Sequence, residues 1–259
     1  VTDSYHHSVN NKLLLEIHSG NLCYLICNRD FEPITSGSFS LVDAEMLKSL
    51  LNDNAALNQI FGSVQLIYGG SPFVTIPSQI LTSADRKQLF QLSHKIGQDT
   101  QLEEGNMTTE VTLTYAVPSS LTSVIKAKYP NLKKSHEIAC TYKWIETLGL
   151  EHTKIYARFQ GELLLVLVTR NGKFLLANYF DAKNNDDVFY FIMSVVEQLS
   201  LDIEVTTLHW LQTGKESDTS LLSLFENYVH KVQQDLIFET SDAFNVHSVG
   251  ISSILACES

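Results

Sequence analysis

Lys12-Leu13-Leu14-Leu15-Glu16-Ile17-His18, then Ser19-Gly20-Asn21, then Leu22-Cys23-Tyr24-Leu25-Ile26-Cys27: two short runs of strand formers split by a Gly-containing turn read as a β-hairpin. A third run, Pro33 to Leu41, extends it to a three-strand meander. Val42 to Asn54 follows with Ala44, Leu47, Leu50 and Leu51 at helical spacing, and Ser40 with Asp43 resembles a capping box. Val64 to Tyr68 is a strand ending at Gly69-Gly70-Ser71-Pro72, read as a tight turn. An apolar run, Phe73 to Ile80, leads to a helix opened by Thr82 and Asp85. Glu110 to Val117 is a further strand, with Pro118 placed to begin the next helix.

The same order returns from Thr153. Thr153 to Gln160 alternates, Gly161 turns the chain, and Leu163 to Val168 is continuously apolar, as in a strand covered on both faces. Arg170-Asn171-Gly172-Lys173 is a type I′ hairpin signal, because Asn-Gly tolerates positive φ. Phe174 to Phe180 is the third strand of this second meander. Asp187 to Leu199 is a helix whose Val188, Phe191, Ile192, Val195, Val196 and Leu199 form one stripe. Strand Val205 to Leu211, helix Ser217 to Val229, strand Val232 to Phe238 and a closing helix, Ala243 to Cys257, complete the copy. Gly20 recurs at Gly161 and Val64 at Val205, both 141 residues on. A duplication explains that constant offset. Ile138 to Gly149 reads as a bridging helix with Tyr142, Ile145 and Leu148 on its inner side.

Composition bounds the function. Among 259 residues, 29 carboxylates against 18 Lys and Arg give a net charge of −11, which repels nucleic acid. The densest basic stretch, Lys126 to Lys134, reads as a solvated helix end and loop. The longest apolar run, Leu163 to Val168, is far short of the ~20 residues a membrane helix needs. With no basic, then apolar, opening segment, neither membrane insertion nor a signal peptide is expected. Cys23 and Cys27 on one strand stand roughly 13 Å apart, too far for a disulfide. Four scattered thiols (Cys23, Cys27, Cys140, Cys257) and no paired Cys/His ligand spacing suit a reducing, cytoplasmic setting without a metal site.

An antiparallel meander followed by alternating helices and strands predicts a mixed five-stranded sheet flanked by helices, twice over. Each half resembles the ribonuclease H-like unit, and the duplicate resembles the actin-like ATPase fold of actin, sugar kinases and Hsp70-type proteins. Lys12-Leu13-Leu14-Leu15-Glu16-Ile17, Phe73-Val74-Thr75-Ile76-Pro77 and Arg170-Asn171-Gly172-Lys173-Phe174-Leu175-Leu176-Ala177-Asn178 resemble phrases of a Bacteroidetes family of unknown function with that fold. The expected α/β organisation is an N-terminal lobe at 1–137, a bridging helix at 138–149 and a C-terminal lobe at 150–259. The chain is also similar to the pilus- and secretion-assembly members of the actin-like group, which often serve as scaffolds.

Active members of that superfamily begin each half with a strand, an Asp and a Gly-rich hairpin, which cradle phosphates and orient Mg²⁺. Here Glu16 stands for the first Asp, read as a strand-edge carboxylate, and His18 and Ser19 replace a glycine pair before Gly20. In the second half Ala157-Arg158-Phe159-Gln160-Gly161 offers no carboxylate, and Arg158 occupies that region. The adenosine turn is reduced to Gln212-Thr213-Gly214-Lys215, with one glycine and no P-loop spacing. Glu16, His18, Ser19, Gly20, Arg158, Gln160, Gly161, Gly214 and Lys215 are therefore the candidate cleft residues, with no catalytic or metal-ligating set among them. The expectation is a bacterial pseudo-ATPase that works as a binding or scaffold protein through a protein partner or self-association, needing no cofactor. The alternative is an ATPase or kinase that binds ATP and magnesium through a divergent phosphate site between the lobes.

Overall fold

The computed structural model describes residues 10–41, 43–79, 81, 85–149, 151–212, 219–236 and 249–258. In chain order they form β1 (Lys12–His18), β2 (Asn21–Cys27), β3 (Pro33–Ser40), α1 (Ala44–Asp53), β4 (Ser63–Gly69), β5 (Phe73–Pro77), α2 (Asp85–Gln91), β6 (Thr100–Asn106), β7 (Val111–Pro118), α3 (Ser119–Lys128), β8 (Lys133–His136) and α4 (Glu137–Thr147). The second series is β9 (Thr153–Gln160), β10 (Leu163–Arg170), β11 (Lys173–Asp181), α5 (Asn185–Gln198), β12 (Thr206–Gln212), α6 (Thr219–Phe225), β13 (Lys231–Leu236) and α7 (Val249–Glu258).

Two five-stranded sheets share one topology, β3-β2-β1-β4-β8 and β11-β10-β9-β12-β13. In each, the first three strands are antiparallel and the last two run parallel to the first. The duplication and the fold class are as the sequence predicts. Positive φ makes the turns: Ser19 (48°) with Gly20 (73°), Gly161 (65°), and Asn171 (50°) with Gly172 (79°). The Asn-Gly pair forms its hairpin, and β10 is buried from Leu164 to Val168.

Several local readings change. The fifth strand of the first sheet is β8, which begins at Lys133 and Lys134 of the basic stretch expected to be helix end and loop; α3 does end there at Lys128, and Lys134 pairs with Glu103. Glu110 to Val117 does form a strand, but β7 is the middle of a separate three-stranded sheet, β5-β7-β6. Asp43 does not complete a capping box; it is itself the N-cap of α1, accepting from the Met46 N–H at 2.8 Å. On α4, Tyr142 and Ile145 are buried, whereas Leu148 lies past the helix end and is exposed. Val42, Ile80 and Thr82, and the start of the helix expected from Ala243, lie outside the described residues.

By contact the chain divides into two units. The first runs to Trp144 and takes back α7, and the second begins at Ile145. The C-terminal lobe expected at 150–259 therefore does not include α7. α7 instead packs on β1 and β4, because its first turn meets a buried carboxylate described below.

The second unit's core joins Ile155, Ala157, Leu164, Val166, Val168, Leu208 and Trp210 of the strands to Val188, Ile192, Val195 and Val196 of α5 and Phe225 of α6. The expected α5 stripe is that core face. Ile192 is 0% exposed and Tyr190, on the opposite side, is 65% exposed. Ile192→Ala should lower stability by about 2–5 kcal/mol in chemical denaturation, while Tyr190→Ala should stay within about 0.5 kcal/mol of wild type. Equal effects would contradict this packing.

Candidate functional site

Strand alternation on β1 puts Leu14, Glu16 and His18 on one face and Leu13, Leu15 and Ile17 on the other. Glu16 lies between Cys23 of β2 and Ile67 of β4, in the middle of the sheet, so it is not a strand-edge carboxylate. It is 1% exposed. A carboxylate held there requires donors. The Ile251 N–H, in the first turn of α7, donates to its Oε2 at 3.1 Å, where the helix dipole also favours negative charge. The approach needs glycine at 250, because a Cβ would lie 2.5 Å from both Glu16 Oε2 and Ile67 Cγ2.

The carboxyl end of β4 closes the other side. A Cβ on Gly69 would come within 2.6 Å of His18 Cδ2, 2.8 Å of Glu16 Oε1 and 3.2 Å of Glu137 Oε2. Gly70, at φ 64°, donates its N–H to Glu137 Oε1 at 2.9 Å. The Gly-Gly pair is thus a packing surface for two buried carboxylates as well as a turn. Glu137 is 0% exposed and opens α4. The sequence reading missed it, although a Glu at a helix start beside an apolar run is a first-turn signal.

Beside it, His136 accepts from the Ile138 N–H through Nδ1 at 3.2 Å and contacts the Ser71 carbonyl through Nε2 at 3.1 Å. Phe73 and Tyr115 flank the ring at 5.3 and 5.1 Å. Burial pushes its pKa down to about 4, against the opposing pull of Glu137 and the Ser71 carbonyl, so the ring is neutral at pH 7. Among the described residues no group of three or more His, Cys, Asp or Glu side chains is arranged to hold a metal ion.

Ser19 and Gly20 have a different setting from Glu16. They line a cavity of about 440 Å³ at the carboxyl ends of β1 and β4, together with Gly69, Gly70, Lys95, Asp99 and Leu121. Such strand ends are where open α/β sheets take ligands. The neighbouring N-terminus of α3 already holds an anion. Asp99 accepts from the Ser119 and Ser120 hydroxyls, each at 2.5 Å, and from the Ser120 N–H at 2.8 Å, and these bonds lower its pKa.

In the second unit the offset of 141 aligns Ala157, not Arg158, with Glu16. Ala157 faces the apolar core. Arg158 projects from the other face, 5% exposed, and donates to Gln160, while Gly161 has nothing within 4 Å of where a Cβ would stand. Gly214 and Lys215 lie outside the described residues. Sequence reasoning also passed over His209, whose Nδ1 meets Asp235 Oδ2 at 2.5 Å while its ring stacks on Tyr156 at 4.7 Å. Among the described residues its Nε2 has no hydrogen-bond partner, so none of them supplies the nucleophile of a triad.

Two measurements test this geometry. Gly250→Ala should cost about 1–3 kcal/mol by forcing Glu16 and Ile67 apart; an unchanged denaturation midpoint would contradict the contact. His136 takes up its proton more readily unfolded (6.5) than folded (about 4). Its contribution is complete above pH 6.5 and is lost as pH falls towards 4, by up to about 3 kcal/mol. His136→Gln should flatten that part of the stability–pH curve.

Comparisons with known proteins agree with the fold. A Bacteroides thetaiotaomicron protein with an actin-like ATPase fold and unknown function is 20% identical, with a TM-score of 0.79 and 98% of each chain covered. A chain of the PilM–PilN type IV pilus biogenesis complex aligns with a TM-score of 0.53 at 12% identity, over 95% of this chain and 96% of that one. The cytoplasmic domain of EpsL, an inner membrane component of the type II secretion system of Vibrio cholerae, gives 0.51 at 13%, over 96% and 94%. No curated protein matches the chain. No helix among the described residues is long and apolar enough to cross a membrane. Residues 2–232 match a family described as protein of unknown function (DUF3822), and the chain belongs to that family.

Proposed function

We propose that the protein is a non-catalytic binding or scaffold protein built on an actin-like ATPase fold, a pseudo-ATPase of the bacterial cytoplasm. The observation that carries this reading is the commitment of Glu16. The one first-strand carboxylate that could orient magnesium or its water is buried and accepts the Ile251 N–H, and the aligned position of the second half is Ala157. Hydrolysis of a phosphoanhydride needs an oriented water and a metal anchor. Apart from Glu16, the first strands of the two halves carry no acid for that work.

The cavity at the ends of β1 and β4 is the binding site we assign to the first unit. Its walls are mainly apolar, from Ile17, Leu41, Val117, Pro118 and Leu121, with Lys95 and Asp99 as opposite charges. That lining suits a neutral or zwitterionic segment of a protein partner better than a polyphosphate. The PilM–PilN complex and EpsL are parts of assemblies in which this fold is a component, and we extend that kind of role to this chain.

Thermal unfolding with Mg·ATP or Mg·GTP tests the reading. A nucleotide at about 100 times its dissociation constant would stabilise the native state by about 2.7 kcal/mol. We expect no shift of Tm with either nucleotide, and no phosphate release. A magnesium-dependent rise abolished by Glu16→Gln would overturn the proposal.

A further inference from the structure

Tyr190, 65% exposed, and Tyr228, 48% exposed, are the most exposed aromatic side chains among the described residues, and both lie in the second unit. A chain of ring contacts joins them. Tyr228, just past α6, meets Phe189 of α5 edge to face at 5.0 Å, and Phe189 lies 5.1 Å from the fully buried Phe225. Phe191 projects about 200° around α5 from Phe189. There it meets Tyr190 at 5.4 Å and stacks on Phe180 of β11 at 4.9 Å. Phe180, Phe189 and Phe191 are half-buried against the core, so the exposed rings are held by rings beneath them. Leu224, four residues before Tyr228, is a further exposed apolar side chain. Contiguous apolar surface of this kind marks a contact site, and tyrosines are enriched where interfaces concentrate their binding energy.

The charges around these rings have one sign. Asp186 lies one helical turn before Tyr190 and Glu197 two turns after it, so the three share the solvent face of α5 with Met193 and Ser194. Both carboxylates are exposed, and neither has an ion-pair partner among the described residues. Neither α5 nor α6 contains Lys, Arg or His. Between Lys183 and His230 the described residues add Asp202, Glu204 and Glu226 to Asp186, Asp187 and Glu197, without one Lys or Arg. An aromatic ring presents a negative face of its own, which draws ammonium and guanidinium groups. A second copy of the chain would set the same carboxylates against each other, and an anionic lipid surface would be repelled too.

We propose that this face of α5 and the adjoining Tyr228 dock a basic amphipathic segment of another protein. Its Arg or Lys side chains lie against Asp186 and Glu197 and over the Tyr190 ring, and its apolar side chains lie against Tyr228 and Leu224. At 1.5 Å per residue the two carboxylates stand about 16 Å apart along the helix, a distance that a partner helix of about three turns spans. The surface belongs to the second unit and does not depend on the binding site assigned to the first.

The test uses a fluorescently labelled amphipathic helical peptide of about 15 residues, with Leu on one stripe and Arg on both flanks, titrated with the full chain by anisotropy. We expect saturable binding that weakens as salt is added. Tyr190→Ala should weaken it about tenfold or more, and D186N/E197Q should weaken it and flatten its salt dependence. The same peptide with Glu in place of Arg should not bind. All three positions are exposed, and an unchanged Tm would show that each variant folds. An Arg peptide that does not bind would overturn the proposal. So would binding indifferent to Tyr190→Ala or to D186N/E197Q, or equal binding of the Glu peptide. A dimer of the chain, seen by light scattering and abolished by Tyr190→Ala, would assign the surface to a second copy and overturn it as well.

Discussion

The first sheet depends on a carboxylate that water cannot reach. Glu16 stands in the middle strand, and a buried carboxyl group there is tolerated only if donors replace its hydration. The donor comes from Ile251, 235 residues further along the chain. Two glycines follow from that requirement. Gly250 lets the helix end approach, and Gly69 leaves room for the carboxylates of Glu16 and Glu137 and the ring of His18. The first unit is therefore complete only when the end of the chain returns to it. Closing so long a loop costs only modestly more than closing a short one, because the entropic term grows with the logarithm of length.

The same chemistry recurs elsewhere in the first unit. Actin-like ATPases use the N–H groups of hairpins and helix starts to hold phosphate oxygens. Here the protein's own side chains supply the anions: Glu16 for the first turn of α7, Glu137 for Gly70, and Asp99 for the start of α3. Each of these donors already has a carboxylate of the chain as its acceptor.

What could be read in advance was whatever repeats or alternates. The meanders, the Asn-Gly turn and the α5 stripe each carry a local signal, and the constant offset between Gly20 and Gly161 joined them into a duplication. β6 and β8 were not legible for a physical reason. Thr100–Asn106 and Lys133–His136 are edge strands whose stability comes from neighbours' backbones and from pairs such as Lys134 with Glu103, so they need no apolar face to announce them. Glu16 was found as a candidate, but its setting was not, because the Ile251 N–H that donates to it lies 235 residues away. Glu137 and His209 escaped for a related reason: each acquires its setting only from a strand or turn far away in sequence.

The divergence at the aligned positions 16 and 157 explains why so regular a duplication is silent about activity. Both lie on the first strand of a sheet with the same strand order. In the second unit that face is closed by the sides of α5 and α6, an apolar surface that accepts Ala157. In the first it is closed by the end of α7, whose N–H groups demand an acceptor and obtain one from Glu16. A helix side selects a small apolar residue, and a helix start selects a carboxylate. The acid on the first strand is thus accounted for by what covers it: a helix start whose first-turn N–H it accepts.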